Sequence, residues 1–199
     1  MDAALNSVPL IALILLVDFA ITFSHSYQEW RGLGAPIWRN FGAIVGVDIP
    51  DRWGFPIFTV LLTVSLFAIG FVGIIGPLRW SAFALGALIG ARLSDTLISH
   101  VLLYGVGYRP NPGLSSTPLY VLEALFIVWA FQPRLAANPS SAKAGLVLGI
   151  LAFVLVLPGL WLVRQAMPAW KRSPWPRWQP MPSWASRHRS IRLPPKALR

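Results

Sequence analysis

The sequence predicts an all-α fold, a polytopic bundle of about five transmembrane helices followed by an extended basic tail. Only 12% of its 199 residues are charged and 55% are hydrophobic, whereas soluble domains carry about 25% charged residues. The apolar residues are gathered in runs close to the ~20 residues that a helix needs to cross the hydrocarbon core of a bilayer. The mean hydropathy of +0.60 agrees with this class.

The predicted transmembrane domain covers residues 1–165. Its spans are expected at about residues 8–24, 57–75, 81–106, 114–131 and 144–163. Between the first two, the segment 26–56 mixes tryptophan, glycine, proline and charged residues, which favours a position at the membrane interface. The first apolar run lacks the charged region and the small-residue cleavage site of a signal peptide, so we expect a retained span.

Residues 166–199 form the second predicted region, a cytoplasmic tail rich in Trp, Pro and Arg that is too polar to build a core. We expect it to lie along the membrane surface or to bind other membrane-protein subunits. Because basic segments stay on the cytoplasmic side, five spans place the N-terminus outside the inner membrane. The expected partners are membrane lipids and other subunits, not nucleic acid, since nearly half of the basic residues lie in a tail that follows an apolar body. The chain has no cysteine, which excludes disulfides and thiolate metal sites.

Three ionisable side chains share one face of the first predicted helix. Asp18, His25 and Glu29 are spaced seven and four residues apart, which places them within about 40° of one another on an α-helix. Ionisable groups at membrane depth cost at least ~2.5 kcal/mol each and mark functional sites. The His25–Glu29 spacing suits two ligands of one metal, a carboxylate that orients an imidazole, or a proton-passing pair. The alternative is a solvated pair at the end of the span.

Further polar residues occur in the third and fourth spans. Arg92 is the natural ion-pair partner for Asp18 in a structural role. Asp95 and His100 are five residues apart, about 140° around an α-helix, so we do not expect them to share a face. In the fourth span Tyr120 and Glu123, at i,i+3, are expected to meet on the inward side.

The stretch before the fourth span is rich in turn-forming residues. Residues 108–113 (Tyr-Arg-Pro-Asn-Pro-Gly) predict a re-entry loop, and residues 115–117 (Ser-Ser-Thr) are candidate helix caps. The loop either serves as an ordinary connection or contacts a substrate. Gly86 and Gly90 predict close helix packing rather than phosphate binding. The chain has no Walker loop, dinucleotide fingerprint or nucleophile elbow.

The residues His25-Ser-Tyr-Gln28-Glu29 resemble the HXXEE motif that names a family of small bacterial membrane proteins. A second histidine on a later span and a Tyr–Pro–Gly stretch before the next helix correspond to His100 and to residues 108–117. The resemblance covers about half of the chain and carries over His25, Glu29 and His100. It implies a shared architecture in the bacterial inner membrane more than a particular chemistry. Gln28 stands where the motif has its first glutamate, which is also consistent with a non-catalytic member.

Two functions remain open. In the first, the chain is a membrane-embedded enzyme that acts on a lipid or isoprenoid-like substrate, with His25, Glu29 and His100 as catalytic groups or as ligands of a divalent metal. Residues expected to bind substrate or support the site are Asp18, Arg92, Asp95, Tyr108 and Glu123. In the second, the chain is a non-catalytic accessory subunit of a larger membrane complex that contains a pigment or haem. A proton-coupled transporter is disfavoured because no inverted repeat is visible.

Overall fold

A computed structural model describes residues 8–31, 61–105 and 111–155, and beyond them residues 158–159, 162 and 165. Within these ranges every regular element is helical and no strand occurs, which confirms the all-α class. The elements are α1 (Val8–Arg31), α2 (Leu61–Ile75), α3 (Leu78–Ser94), a π-helix (Asp95–Leu102), α4 (Leu103–Gly105), α5 (Thr117–Ala130), α6 (Gln132–Ala137) and α7 (Pro139–Val154). The predicted tail and Tyr108 lie outside the described residues.

Two stretches of helix are long and apolar enough to cross a membrane, judged by length and composition. They are Val8–Glu29 and the continuous helix Leu78–Gly105. The other apolar helices of the described residues, Leu62–Ile75, Thr117–Ala130 and Pro139–Val154, are shorter than this criterion requires. Each of the five predicted spans thus contains a helix, and two of these helices have the length and composition to cross a bilayer.

The helix of the first predicted span extends beyond the predicted span itself. α1 continues without interruption to Arg31, because neither glycine nor proline breaks the chain before Gly32. His25 and Glu29 therefore belong to one regular helix, where residues four apart are neighbours. His25 is buried, with 1% of its surface exposed, so a fully solvated pair at the end of the span is also excluded.

The last helix begins earlier than the sequence pattern predicts. α7 starts at Pro139 instead of residue 144, with proline in its first turn, where the missing amide hydrogen has no cost. Most of the connection between the fourth and fifth predicted spans is helical as well, because α6 covers Gln132–Ala137.

α3 is the central helix of the described bundle, and its glycines bring α7 very close to it. A Cβ atom built on Gly86 would collide with the backbone carbonyl of Ala142, and one built on Gly145 would collide with the carbonyl of Phe83. About one turn further along each helix, a Cβ on Gly90 or on Gly149 would likewise collide with a backbone carbonyl of the facing helix. The prediction of close packing at Gly86 and Gly90 is confirmed, and backbone contact of this kind is typical of small-residue helix interfaces.

Substituting Gly145 with alanine is expected to destabilise the bundle by about 1–3 kcal/mol, because the added methyl group has no space and the helices must move apart. The free energy of unfolding in mixed detergent micelles measures this effect. Gly159→Ala is the matched control, since a Cβ there meets nothing within 4 Å. Equal stability of the two variants would contradict the packing argument.

Candidate metal centre

Four metal-ligating side chains from two helical segments meet inside the bundle. α1 supplies His25 and Glu29, and the π-helix supplies Asp95 and His100. One donor atom of each residue lies within 4.8 Å of the corresponding atoms of the other three. Both imidazoles are almost fully buried, whereas the Glu29 side chain is 12% exposed.

The distances between these donor atoms are those of a compact four-ligand site. His25 Nε2 lies 3.1 Å from His100 Nε2 and 3.0 Å from Asp95 Oδ2. His100 Nε2 lies 3.8 Å from the same Asp95 oxygen. Glu29 Oε1 is 3.6 Å from His25 Nε2 and 3.5 Å from His100 Nε2. Ligand atoms around a tetrahedral zinc ion, with bonds of 2.0–2.1 Å, are separated by about 3.3 Å.

The π-helix brings Asp95 and His100 together, which corrects the expectation that these residues do not share a face. The expectation assumed 3.6 residues per turn. In a π-helix the hydrogen bonds join residues five apart, so the first and sixth residues of the segment Asp95–Leu102 lie one above the other. Segments of this kind are rare and frequently occur at functional sites. The change in helical period was not evident in the residue pattern.

The hydrogen bonds of Ser116 determine which nitrogen of His25 faces the centre. The Ser116 hydroxyl donates to the Gly113 carbonyl at 2.8 Å, so it accepts from Nδ1 of His25, also at 2.8 Å. Nδ1 therefore carries the hydrogen, and the lone pair of Nε2 points to the other donors. Ser116 was predicted as a helix cap, but it makes no side-chain capping bond. Its hydroxyl orients the imidazole instead.

Asn111 has the same role for His100. The Asn111 amide nitrogen donates to the carbonyls of Ser99 at 3.1 Å and His100 at 3.0 Å. Its Oδ1 is thus left to accept from Nδ1 of His100 at 2.7 Å, so the Nε2 lone pair of this imidazole also faces the centre. Asn111 was not singled out from the sequence, where an asparagine between two prolines is an ordinary turn signal.

The arrangement places the Nε2 atoms of two imidazoles and two carboxylates around one point. When both imidazoles are neutral, these four acceptors repel one another unless a proton or a metal cation lies among them. A divalent ion would bind all four atoms and balance both carboxylate charges. Imidazole and carboxylate ligands without sulfur suit zinc, iron or manganese. Metal-bound histidines typically donate a hydrogen bond from their other ring nitrogen, as His25 does to Ser116 and His100 to Asn111.

Gly113 closes the site above the two imidazoles. Its backbone has φ +89°, a conformation that glycine adopts without the strain of a side chain. A Cβ at this position would lie 2.5 Å from His100 Cε1 and 3.0 Å from His25 Cε1. The glycine is therefore required both by the turn and by the rings beneath it. The predicted loop residues thus contribute contacts to the site.

A second polar cluster lies beside the metal centre and is built around Arg92. The Arg92 Nη2 atom lies 2.8 Å from Asp18 Oδ1, so the predicted partner of Asp18 is found. Arg92 also contacts the Thr22 hydroxyl, and its Nε lies 2.6 Å from Glu123 Oε2. All four residues are buried.

Tyr120 lies between the two clusters. Its ring centroid is 4.3 Å from that of His25. The Arg92 guanidinium carbon lies 4.0 Å from the same tyrosine centroid, within the range of a cation–π interaction. Tyr120 and Glu123 are both buried, as expected for an inward face. The tyrosine ring connects the metal centre to the ion-pair cluster.

No family model, curated protein or solved structure matches this chain. The resemblance to the HXXEE family therefore remains a prediction.

The structure distributes the predicted site residues between these two clusters. His25, Glu29 and His100 converge as expected, and Asp95, predicted as a supporting residue, joins them directly. Gln28 lies outside the donor group, because its side-chain oxygen accepts a hydrogen bond from Ser115 at 3.0 Å. Four donors are therefore present without the motif glutamate that Gln28 replaces. Asp18, Arg92 and Glu123 form the neighbouring ion-pair cluster.

Proposed function

We propose that this chain is an integral membrane protein of five spans that binds a divalent metal and acts as an enzyme on a lipid or isoprenoid-like substrate. The convergence of His25, Glu29, Asp95 and His100 carries this proposal. Two oriented imidazoles and two carboxylates whose donor atoms lie within 4.8 Å of one another are more than a structural ion pair needs. The resemblance to the HXXEE family supports three of the four ligands independently.

The outer surface supports a membrane location for this centre. Large apolar side chains on several helices point outward, and Leu16, Leu122 and Trp129 are each about 60% exposed or more. An exposed apolar surface of this extent is typical of contact with lipid or with another membrane protein. A substrate for a centre at this depth is expected to come from the bilayer, which favours a lipid.

A divalent metal at this position would polarise a substrate oxygen or make bound water a stronger nucleophile. The protein residues around it have separable tasks. His25 and His100 are fully buried, with their Nε2 atoms 3.1 Å apart. The two carboxylates are slightly more exposed, 12% for the Glu29 side chain and 10% for that of Asp95. The Glu29 oxygen lies 3.5–3.6 Å from both imidazoles, so this side chain is placed to exchange with water or to accept a proton from it.

Metal analysis of the purified protein tests the proposal. We expect about one zinc, iron or manganese ion per chain in mild detergent and the loss of most of it in His100→Ala, because removing one of four ligands leaves three donors around a site built for four. Gln28→Ala is the matched control, since Gln28 adjoins Glu29 on α1 but lies outside the donor group. A metal-free wild-type protein after supplementation with these ions would contradict the proposal, as would equal metal content in both variants.

Activity is tested with the same preparations. Incubation with a bacterial lipid extract, followed by mass spectrometry, is expected to show a change in the lipids with the wild-type protein and none with His100→Ala. A metal-loaded wild-type protein that leaves every lipid unchanged would refute the enzymatic part of the proposal and leave the metal site intact.

A second function, a non-catalytic subunit of a membrane complex, is favoured by one observation. Four protein ligands complete a tetrahedral shell, and closed shells are characteristic of structural metal sites. Glu29→Gln separates the two functions. If the chain is an enzyme in which Glu29 exchanges with water, the Glu29→Gln variant retains its metal and loses lipid turnover. If the site is structural, the variant binds the metal more weakly, and neither it nor the wild-type protein turns over lipid. Stoichiometric partner chains in the purified sample would favour the subunit.

A further inference from the structure

An apolar cavity of about 430 Å³ lies between α1, α2, α3 and α5. Sixteen residues line it, and all except Asp18 and Glu123 are apolar or glycine. Its volume is in the range of sites that bind small organic ligands. The cavity is thus a long apolar space with two acidic side chains in its wall.

Two carboxyl groups beside the cavity share one cation. Arg92 contacts both Asp18 and Glu123, so the three groups carry one excess negative charge when both carboxyl groups are ionised. Asp18 Oδ2 has no hydrogen-bond partner although it is buried. It lies against Gly70, where a Cβ would come within 3.1 Å of it, and Gly70 also lines the cavity.

Arg92 is not among the residues that line the cavity. Its guanidinium lies behind the carboxylates, against Tyr120. The polar part of the wall therefore consists of hydrogen-bond acceptors with negative charge. The ligand that complements such a wall has an apolar chain and a positively charged, hydrogen-bond-donating head.

We propose that this cavity binds a single-chain amphiphile with a cationic amine head. The hydrocarbon chain fills the apolar space, and the ammonium group donates to the free oxygen of Asp18 and neutralises the excess charge. This site goes beyond the proposed function because it requires no metal. Asp18 is seven residues before His25 on α1, about 10 Å along the helix axis.

The rim of the cavity explains how a chain enters. Val17 on α1 is 47% exposed, and Leu122 and Phe126 on α5 are 60% and 39% exposed, so the lining reaches the outer surface of the bundle between these two helices. A lipid chain enters from the side, from the same apolar phase that covers the outer surface. The charged head then meets carboxylates that are already held in place by Arg92.

Binding of three probes with the same chain length tests the inference on the full-length protein in mild detergent. Tetradecylamine is expected to bind one per chain and about tenfold more tightly than tetradecanol, because an ammonium makes a charge-assisted hydrogen bond to a carboxylate. Tetradecanoate is expected to bind least, since its charge is repelled. Equal affinity for the amine and the carboxylate would overturn the proposal, as would no binding of the amine.

Two tryptophan variants locate the site. Leu122 lines the cavity and Leu125 does not, yet both side chains are 60% exposed on the same helix. Leu122→Trp is expected to reduce amine affinity about tenfold, because the larger side chain fills part of the space that the ligand needs, and Leu125→Trp is expected to leave it unchanged. Equal effects would place the amine elsewhere and refute the site.

The Asp18→Asn variant tests the head group, and it is expected to abolish the preference for amine over alcohol. If it does not fold, the Leu122 and Leu125 pair still decides the question. Metal content is measured on the same samples. Normal metal without amine binding refutes the cavity site alone, whereas amine binding without metal refutes the metal proposal alone.

Discussion

Replacing Arg92 with methionine is expected to cost about 3–5 kcal/mol of unfolding free energy, because it leaves the carboxylates of Asp18 and Glu123 buried without a counter-charge. Methionine conserves much of the length of the side chain and fills the space, so the loss is electrostatic rather than steric. The guanidinium contact with the Tyr120 ring is lost as well. Reversible unfolding in mixed detergent micelles, followed by circular dichroism, measures the difference.

A triple variant provides the control for this prediction. Arg92→Met combined with Asp18→Asn and Glu123→Gln removes all three charges and retains similar shapes. Replacing a complete buried ion network is often close to neutral, so the triple variant is expected to recover most of the lost stability. If Arg92→Met is as stable as the wild-type protein, or if the triple variant recovers nothing, the carboxylates are not held by the guanidinium as described.

Gly113→Ala is expected to abolish metal binding while the bundle remains folded. The new methyl carbon would lie 2.5 Å from His100 Cε1, so the imidazole must move by more than the tolerance of a metal–nitrogen bond, which is about 0.2 Å. The backbone at φ +89° adds strain that any side chain would feel. Metal content per chain and the helical circular dichroism signal, recorded on one sample, are the measurements.

The control for Gly113→Ala is Gly105→Ala. Gly105 ends the helix that carries His100, and a Cβ there meets nothing within 4 Å. Its metal content is expected to equal that of the wild-type protein. Full metal content in Gly113→Ala would show that the imidazoles do not require the glycine above them, and global unfolding would show that the loop supports the fold rather than the site alone.

These two predictions concern neighbouring clusters with different tasks. The buried ion pairs of the Arg92 cluster are expected to stabilise the fold, and their loss is expected to lower the free energy of unfolding. The histidine–carboxylate cluster is the proposed metal-binding element, and its loss is expected to reduce the metal content per chain. Tyr120 contacts both through its ring, so Tyr120→Leu is the substitution that would reveal energetic coupling between them.

The helical class and the residues of the two clusters were predictable from the amino-acid sequence. Apolar runs predict helices because, in an apolar medium, the backbone N–H and C=O groups of a run of that length must form hydrogen bonds within the segment. Spacing along one regular helix is equally local, so the pairing of His25 with Glu29 on one face followed directly from 3.6 residues per turn. A carboxylate within an apolar span, such as that of Asp18, is expected to pair with a cation, and Arg92 lies within another predicted span.

Only the tertiary structure decided how these residues combine. The π-helical turn that joins Asp95 to His100 is a change of helical period, and no residue type marks it. The orientation of the imidazoles depends on Ser116 and Asn111, which reach the site from a loop distant in sequence. Contacts between segments depend on how helices pack in three dimensions, which periodicity along one helix does not encode. The helices and their polar residues were therefore predictable, whereas the four-ligand centre came from their packing.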